Sequence, residues 1–392
     1  MEYDFDEPVD RFGTDSMKWD VADHELPMWV ADMDFRTAPE IRDALQKRMN
    51  HGIFGYTDIP DEWYDAYRTW WRERHSFVME RDWLIFSTGV VPAISSAVRK
   101  LTTVGEKVLI QSPVYNIFYN SIINNGRQIL ENPLLDDGGN YQMDFQDMES
   151  KLKDPQTTMM ILCNPHNPVG KIWSRETLEK VGELCRRNNV VVLSDEIHCD
   201  LADPGEEYTP FASVSEDCRM NSVTCIAPTK AFNLAGLHTA AVVVPDAALR
   251  NKMNRALNTD EVAEPNAFAA LAATTAFTRG AAWLDELRQY IHANKTLARS
   301  YIREHLSGVG ITPSRATYLL WLDCRGITED SEGLQKFIRE KTGLYLSDGS
   351  HYGTGGEGYL RMNIACPRSR LRDGLSRLKA GIEDFLSLQN GV

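Results

Sequence analysis

An acid and a lysine stand at the ends of two apolar runs in the middle of the chain. The first run, residues 190–194, stops at Asp195, and the second, residues 222–226, is followed by Lys230. Short β-branched runs of this kind predict strands that are buried on both faces, as in a parallel sheet. Because open α/β sheets bind ligands at the carboxyl ends of their strands, the two groups would converge on one ligand. Such a lysine can form an imine with an aldehyde, and such an acid can keep a pyridinium nitrogen protonated.

These are the two contacts that pyridoxal phosphate most needs from a protein. Residues 88–92 form a predicted turn that opens a helix after Gly89, and free N–H groups at a helix start can bind a phosphate, although many strand-to-helix turns look alike. A loop with two prolines, residues 164–170, holds Asn164 and Asn167 at another strand end. An amide fixed there can hydrogen-bond a ligand oxygen.

Three further side chains have both a functional and a structural interpretation. Tyr115 follows a predicted strand and could stack on a flat ring, while a core tyrosine is the commoner fate. Tyr56 lies in a loop between Gly55 and Thr57, where a packed aromatic is favoured by local sequence alone. Arg361 alternates with apolar neighbours on its predicted strand. A planar cation on a strand edge can grip a carboxylate, and an ordinary solvent-facing arginine fits the local pattern equally well.

The elements that position these residues alternate between strand and helix. Predicted strands lie at residues 83–87, 107–111, 159–163, 190–194, 222–226 and 240–244. This alternation indicates an α/β fold with a mostly parallel, doubly wound sheet. After a long helical stretch at residues 281–306, further strands and helices predict a smaller α/β lobe. The first 35 residues show no clear period and are predicted to form an arm across another part of the molecule.

Composition excludes several classes of function. With 392 residues, 43% hydrophobic and 25% charged, the chain is typical of a globular protein of two unequal lobes. Its net charge of -14 argues against nucleic-acid binding. Seven scattered cysteines without a C-x-x-C pair suggest idle thiols. The acidic start of the chain is unlike a signal peptide, and no apolar run reaches the roughly 20 residues that span a bilayer. We therefore expect a cytoplasmic protein with no membrane partner.

A metal site is not expected. The cluster of Asp195, Glu196, His198 and Asp200 has suitable ligand types. However, alternate residues at a strand end point apart, and no second histidine motif supports the cluster.

The motifs together follow a specific order along the chain. They are Thr88-Gly89-Val90-Val91, Pro113-Val114-Tyr115, the loop 164–170, Ser194-Asp195-Glu196-Ile197-His198, Pro228-Thr229-Lys230-Ala231-Phe232-Asn233 and Leu360-Arg361. This order resembles the aminotransferase-like fold type I enzymes, which use pyridoxal phosphate. The stretches 29–35, 54–57 and 195–198 are similar to the MalY/PatB-type C-S lyases, also called cystathionine or cysteine-S-conjugate β-lyases.

The resemblance implies a domain organisation. An amino-terminal arm, residues 1–45, would join the small domain. A large pyridoxal-phosphate-binding domain with a mostly parallel central sheet would occupy residues 46–285, and a small α/β domain residues 286–392.

The resemblance also implies roles for the reactive groups. Lys230 would form the imine and shuttle the α-proton of an amino-acid substrate. Asp195 would pair with the pyridine nitrogen, and Tyr115 would stack on the ring. Asn167 would contact the ring hydroxyl oxygen and the substrate carboxylate, which Arg361 would clamp.

The remaining implied contacts lie around the rim of the site. The backbone of Val90 and Val91 would hold the phosphate, helped by Tyr56 of the partner subunit, which makes a homodimer part of the site. His198 occupies the position where many transaminases place a tyrosine near the ring oxygen. Trp29 would help to bind the substrate from the amino-terminal arm.

Two departures from the family pattern concern the phosphate. Ala227 replaces a serine that commonly binds it, and no arginine occurs between Ala231 and Val244. His238 stands eight residues after Lys230, where that arginine is usual. The phosphate would therefore have fewer cationic partners.

The expected reaction is β-elimination from L-cystathionine or a related L-cysteine thioether, which gives a thiol, pyruvate and ammonia. The alternative is an aminotransferase acting on an L-amino acid, because the same cofactor site serves both reactions. A further alternative is an added regulatory role, since some members of the subfamily bind a transcription activator. No stretch of the sequence marks a surface for that role.

Overall fold

The computed structural model describes residues 3–389, so the outermost residues of the predicted arm and small domain, 1–2 and 390–392, lie outside the described part. The strands are β1 Leu26–Pro27, β2 Leu84–Ser87, β3 Lys107–Ile110, β4 Gln128–Glu131, β5 Leu135–Asp137, β6 Asn140–Gln142, β7 Thr157–Cys163, β8 Val191–Asp195, β9 Ser222–Ile226, β10 Ala240–Val243, β11 Gly310–Ile311, β12 Leu319–Asp323, β13 Leu344–Tyr345, β14 Ser347–Asp348 and β15 Tyr359–Asn363. The α-helices are α1 Pro39–His51, α2 Asp61–His75, α3 Val90–Leu101, α4 Ile117–Ile123, α5 Phe145–Leu152, α6 Arg175–Arg187, α7 Glu216–Met220, α8 Ala247–Thr259, α9 Ala269–Arg279, α10 Ala281–His305, α11 Ser331–Thr342 and α12 Arg368–Gln389.

A seven-stranded sheet forms the centre of the larger lobe. Its strand order is β2-β10-β9-β8-β7-β3-β4, and only β10 pairs antiparallel with its two neighbours. Alternate residues of β7 pack into separate cores, with Met159 and Ile161 on one face and Met160 and Leu162 on the other. Burial on both faces explains why these strands are continuous apolar runs. The predicted α/β fold with a mostly parallel sheet is confirmed.

The second sheet belongs to the carboxyl-terminal third of the chain. It has four antiparallel strands in the order β11-β12-β15-β14. Arg361 lies on β15, which is an inner strand, and only 5% of the residue is exposed. The expectations of a strand-edge position and of a solvent-facing arginine were therefore wrong. Alternation along a strand shows which face a residue is on, but not whether another layer covers that face.

The amino-terminal arm reaches this second sheet region. Its strand β1 pairs in parallel with β13, and the N–H of Asn363 on β15 donates to the carbonyl of Met28. The arm therefore contributes backbone to the smaller lobe, although the exact domain limits stay a prediction. Within residues 3–389, no helix is both long and apolar enough to cross a bilayer.

Candidate active site

A cavity of about 280 Å³ opens at the carboxyl ends of β7, β8 and β9, beside the start of α3. Its walls come from both the sheet and the arm. They comprise Ala31, Thr88, Gly89, Val90, Val91, Pro92, Tyr115, Cys163, Asn167, Asp195, Ile197, His198, Thr229, Lys230, Ala235, His238 and Thr239. Parallel neighbouring strands end at one edge of a sheet, so residues far apart in sequence meet here.

Asp195 and Lys230 both face this cavity, as their places after β8 and β9 predicted. The Asp195 side chain accepts a hydrogen bond from the N–H of Ile197 at 3.1 Å. Burial raises the pKa of Asp195 to about 7. The Lys230 Nζ lies 2.5 Å from the carbonyl oxygen of Ala31. Desolvation and the nearby Arg361 cation lower the pKa of Lys230 to about 8, which leaves more of its amine unprotonated, and so available as nucleophile and base, near neutral pH.

His198 and Tyr115 complete the inner wall. His198 is 3% exposed, and its Nδ1 has no hydrogen-bond partner within the described residues. Burial, with repulsion from Lys230 and Arg361, lowers the pKa of His198 to about 3, so the ring is neutral. Burial raises the pKa of Tyr115 to about 12, and its ring packs edge-on against Phe118 at 5.7 Å. Both side chains are therefore uncharged at neutral pH.

Arg361 lies behind the cavity and reaches it through Asn167. Its guanidinium donates to Asn167 Oδ1 at 3.2 Å and to the carbonyl of Trp29 at 2.9 Å. Its Nε is buried without a partner within residues 3–389, and the group lies 5.0 Å from the ring of Tyr352. A buried cation with an unused donor is suited to bind a carboxylate, because the bond would satisfy that donor.

The start of α3 offers backbone donors. Its N-cap, Gly89, provides no side-chain hydrogen bond to the helix, and Val90 and Val91 are the first two helical residues. Both residues line the cavity, and the dipole at this end of the helix favours an anion.

Lys230 is the only lysine or arginine among the wall residues, which also include His238 and the hydroxyl-bearing Thr88, Thr229 and Thr239. Ala227 is buried and is not part of the wall. That the phosphate has few cationic partners stays a prediction.

Three predicted site residues, Tyr56, Trp29 and Arg361, are not among the residues that line the cavity of their own chain. Tyr56 is fully exposed, in a neighbouring groove formed with Gly236, Leu237 and Phe268. The Trp29 indole stacks on Tyr345 at 4.9 Å, and only its carbonyl contacts Arg361.

Sequence reasoning missed three contributors. Ala31 forms part of the wall, and its carbonyl accepts from both Lys230 and the Tyr318 hydroxyl. Asn233 binds the backbone of Met33 through both ends of its amide. Asn233 lies three residues after the lysine, which was a usable signal. Tyr318 and Ala31 carry no local signal, because their importance depends on contacts across the fold.

Asp195, Glu196, His198 and Asp200 are not brought together as one ligand group. Among residues 3–389, the group with metal-ligand types is instead His75, Cys199 and Asp200. Asp200 accepts hydrogen bonds from Trp70 Nε1 and from His75 Nε2, each at 2.9 Å. Asp200 is therefore satisfied by hydrogen bonds within the protein, next to the short 3-10 turn of residues 199–201.

Comparison with known proteins places this architecture in a family. Residues 26–378 match the family Aminotransferase class I and II. The chain belongs to that family. It is 46% identical over 385 residues to the cystathionine beta-lyase PatB of Bacillus subtilis (strain 168). The alignment covers 96% of this chain and 99% of PatB. It is 33% identical to Protein MalY of Escherichia coli (strain K12), over 96% of this chain and 98% of MalY.

A solved structure shows the same likeness in three dimensions. Cystalysin from Treponema denticola, which contains a pyridoxal 5'-phosphate cofactor, superposes with a TM-score of 0.95 at 31% identity. The match covers 98% of this chain and 100% of cystalysin. These similarities confirm that the chain resembles the MalY/PatB-type lyases within the aminotransferase class I and II family.

The residues of the cavity fit pyridoxal phosphate. An amine and an acid face one space, the helix start supplies uncapped N–H groups, and His198 Nδ1 is an unpaired buried atom at the same wall. These features would suit the aldehyde, the ring nitrogen, the phosphate and the ring oxygen of the cofactor, and which residue holds which part stays a prediction.

Proposed function

We propose that this protein is a pyridoxal-phosphate-dependent carbon-sulfur lyase that acts on L-cystathionine or related L-cysteine thioethers. The observation that carries the proposal is the convergence of Lys230 and Asp195 on one cavity, in a chain 46% identical to a cystathionine beta-lyase over nearly its full length. The reaction consumes water and yields a thiol, pyruvate and ammonia.

The cofactor, when bound, supplies an electron sink for the negative charge left at the substrate Cα. Lys230 takes the proton from Cα, and its lowered pKa leaves part of the amine free to do so near neutral pH. Asp195 would hold a proton at the pyridine nitrogen of the bound cofactor. The resulting ion pair would offset the desolvation that raises the pKa of this carboxyl.

The carboxylate end of the substrate is held by Arg361 and Asn167. Arg361 already shares a hydrogen bond with Asn167, so a carboxylate between them would meet two donors fixed in position. That anchor orients the Cα–H bond toward Lys230. The Cβ–S bond then breaks with its electron pair on sulfur, and the thiolate takes up a proton.

We further propose a homodimer in which the partner subunit's Tyr56 completes the phosphate site. Ile53, Phe54 and Tyr56 are exposed at 67%, 53% and 104% in the single chain. Their loop borders a groove of about 560 Å³ that includes Gly236 and Leu237. These two residues adjoin Ala235 and His238 of the active-site wall. A contiguous apolar surface beside an active site is typical of a subunit interface.

The alternative reaction is transamination, which the family match supports. The two reactions share proton removal by Lys230 and differ in the next step. In transamination the substrate would leave as its keto acid with no bond to sulfur broken, and a second keto acid would be needed for turnover. The products therefore separate the two reactions.

The decisive experiment incubates the purified holoenzyme with L-cystathionine alone. We expect thiol, pyruvate and ammonia to appear in equal amounts over many turnovers. Lys230→Ala should abolish this production, while Lys252→Ala, which changes an exposed lysine on α8, should retain it. A single burst of keto acid without thiol, renewed only by adding a second keto acid, would identify an aminotransferase instead.

A further inference from the structure

Residues 29–35 form a segment of the arm, here called the arm segment, whose backbone is bound by side chains along most of its length. The carbonyls of residues 29–33 and 35 each accept at least one side-chain hydrogen bond. The donors come from the large lobe, the small lobe and the arm itself. A segment without regular secondary structure is thereby held in one conformation.

Two of these hydrogen bonds involve the reactive groups. The carbonyl of Ala31 lies 2.5 Å from Lys230 Nζ, and the carbonyl of Trp29 lies 2.9 Å from the guanidinium of Arg361. The position of the arm segment therefore affects both the amine that moves the proton and the cation that holds the substrate. A displacement of about 1 Å at such contacts can change a rate by roughly 10²-fold.

Arg11 is the residue that fastens the outer side of the arm segment. Its two terminal nitrogens contact the two carboxylate oxygens of Asp32 at 3.0 and 2.8 Å. The same group donates to Asp34 at 2.8 Å and to the carbonyl of Met33 at 3.2 Å. The Arg11 side chain is 19% exposed, so these contacts are only partly screened by water.

Two other cations lie near Arg11, and both contact Asp34 closely. Lys18 and Arg370 contact Asp34 at 3.1 and 3.0 Å, while the Lys18 amine is 3.6 Å from Asp32. Although burial acts to raise it, these cations hold the pKa of Asp34 below its ordinary value. If Arg11 were replaced, Asp34 would still contact the cations of Lys18 and Arg370. Asp32 would lose its 2.8 Å ion pair and keep only the longer contact with Lys18.

Asp32 also acts on the lysine of the active site. Its negative charge favours the protonated form of Lys230, as does that of Asp195, while Arg361 opposes it. Arg11 therefore affects Lys230 in two ways, through the placement of the Ala31 carbonyl and through partial neutralisation of Asp32.

We propose that Arg11 is a positioning residue for the reaction, which sets the arm segment against Lys230 and Arg361 through its bidentate contact with Asp32. The proposal rests on the proposed function for its activity readout. Among the described residues, Arg11 is not one of those that line the cavity, and its side chain donates to Ser16, Asp32, Met33 and Asp34. It acts through the arm segment alone.

The experiment compares Arg11→Met with Arg11→Lys and with Arg36→Met as a matched control. Arg36 lies directly after the arm segment and pairs with Glu7 at 3.1 Å, but both side chains are about half exposed. For Arg11→Met we expect kcat for thioether cleavage to fall roughly tenfold. We also expect the pH midpoint of the visible band of the cofactor-bound lysine to rise by a few tenths of a unit, because Asp32 loses its cation. Arg11→Lys should restore part of both values.

The spectral titration needs no turnover, so it separates this inference from the proposed function. If the wild-type enzyme lacks the visible band, the proposed function fails. If the wild-type band is present and Arg11→Met leaves both its pH midpoint and kcat at the Arg36→Met values, Arg11 is not a positioning residue. A lowered melting temperature alone, with unchanged midpoint and kcat, would also overturn the inference, since it shows a purely structural role.

Discussion

At the scale of single residues, burial determines the charge of each reactive group. Asp195, His198 and Lys230 lie at one wall, and in each case desolvation acts most strongly and favours the neutral form. The strand-end acid is thus prepared to share a proton with a ring nitrogen, and the lysine to release one. The same groups would titrate in their ordinary ranges in the unfolded chain.

Asp195 should make the stability of the cofactor-free protein depend on pH. Its folded pKa of about 7 lies above the unfolded value near 3.9, so its neutral form stabilises the fold at low pH. This contribution is lost as pH rises through 7. Between pH 4 and 8 we expect the free energy of unfolding of the wild type to fall by roughly 3 kcal/mol relative to Asp195→Asn.

Denaturant unfolding of both proteins at the two pH values measures this difference. Asp65→Asn, which changes a carboxylate exposed at 70%, is the control and should follow the wild type. Parallel pH profiles for the wild type and Asp195→Asn would contradict a raised pKa.

At the scale of secondary-structure elements, the binding groups lie at the ends of strands and at the start of a helix. β8 and β9 present the acid and the lysine, and α3 presents its first N–H groups at the same cavity. Gly89 precedes α3 without a side chain to occupy those donors. The helix start is therefore available to an anion, without the side-chain cap that would stabilise the helix by roughly a few tenths of a kcal/mol relative to glycine.

Replacing Gly89 should show this competition. An Asp at this N-cap could accept the N–H of Val91 and bring a negative charge to the phosphate position. We expect Gly89→Asp to weaken cofactor binding at least tenfold more than Gly89→Ala, without lowering the melting temperature of the cofactor-free protein below that of Gly89→Ala. Titration of each cofactor-free variant with pyridoxal phosphate, followed by the visible band, measures the affinity. Equal affinities would place the phosphate elsewhere.

At the scale of the whole molecule, the single chain leaves one side of the site open. His238 is exposed at the wall, next to the groove that carries Tyr56. A second copy placed on this groove would cover the exposed aromatic loop and close the phosphate end of the cavity. The proposed dimer thus accounts for the exposure of Tyr56 as well as for its predicted role.

Mixed dimers test whether the site is shared. Lys230→Ala chains retain Tyr56, and Tyr56→Ala chains retain Lys230, so a mixed dimer would contain one intact site. We expect each variant alone to be strongly impaired, and an equal mixture refolded together to regain about a quarter of the wild-type activity. Two differently tagged Tyr56→Ala chains, mixed in the same way, form the control. A mixture no more active than the sum of its parts would show that each chain builds its site alone.

The sequence by itself determined the central sheet and the residues at its strand ends. Continuous apolar runs predicted the buried strands. Asp195 follows its run directly, and Lys230 and Asn167 come four residues after theirs, so short-range pattern was sufficient. The order of the motifs then indicated the cofactor. Local pattern was less informative for Arg361, whose burial depends on which layer covers β15.

Only the tertiary structure decided how the arm enters the site. Trp29 and Arg361 are 332 residues apart, and Ala31 and Lys230 are 199 apart, yet both pairs are hydrogen-bonded. The arm accepts these hydrogen bonds through carbonyl oxygens, which every residue possesses, so no residue type in the sequence marks these contacts. Strand ends could be predicted because their signal is local, whereas the arm segment and Arg11 depend on long-range packing that brings unmarked backbone to the reactive groups.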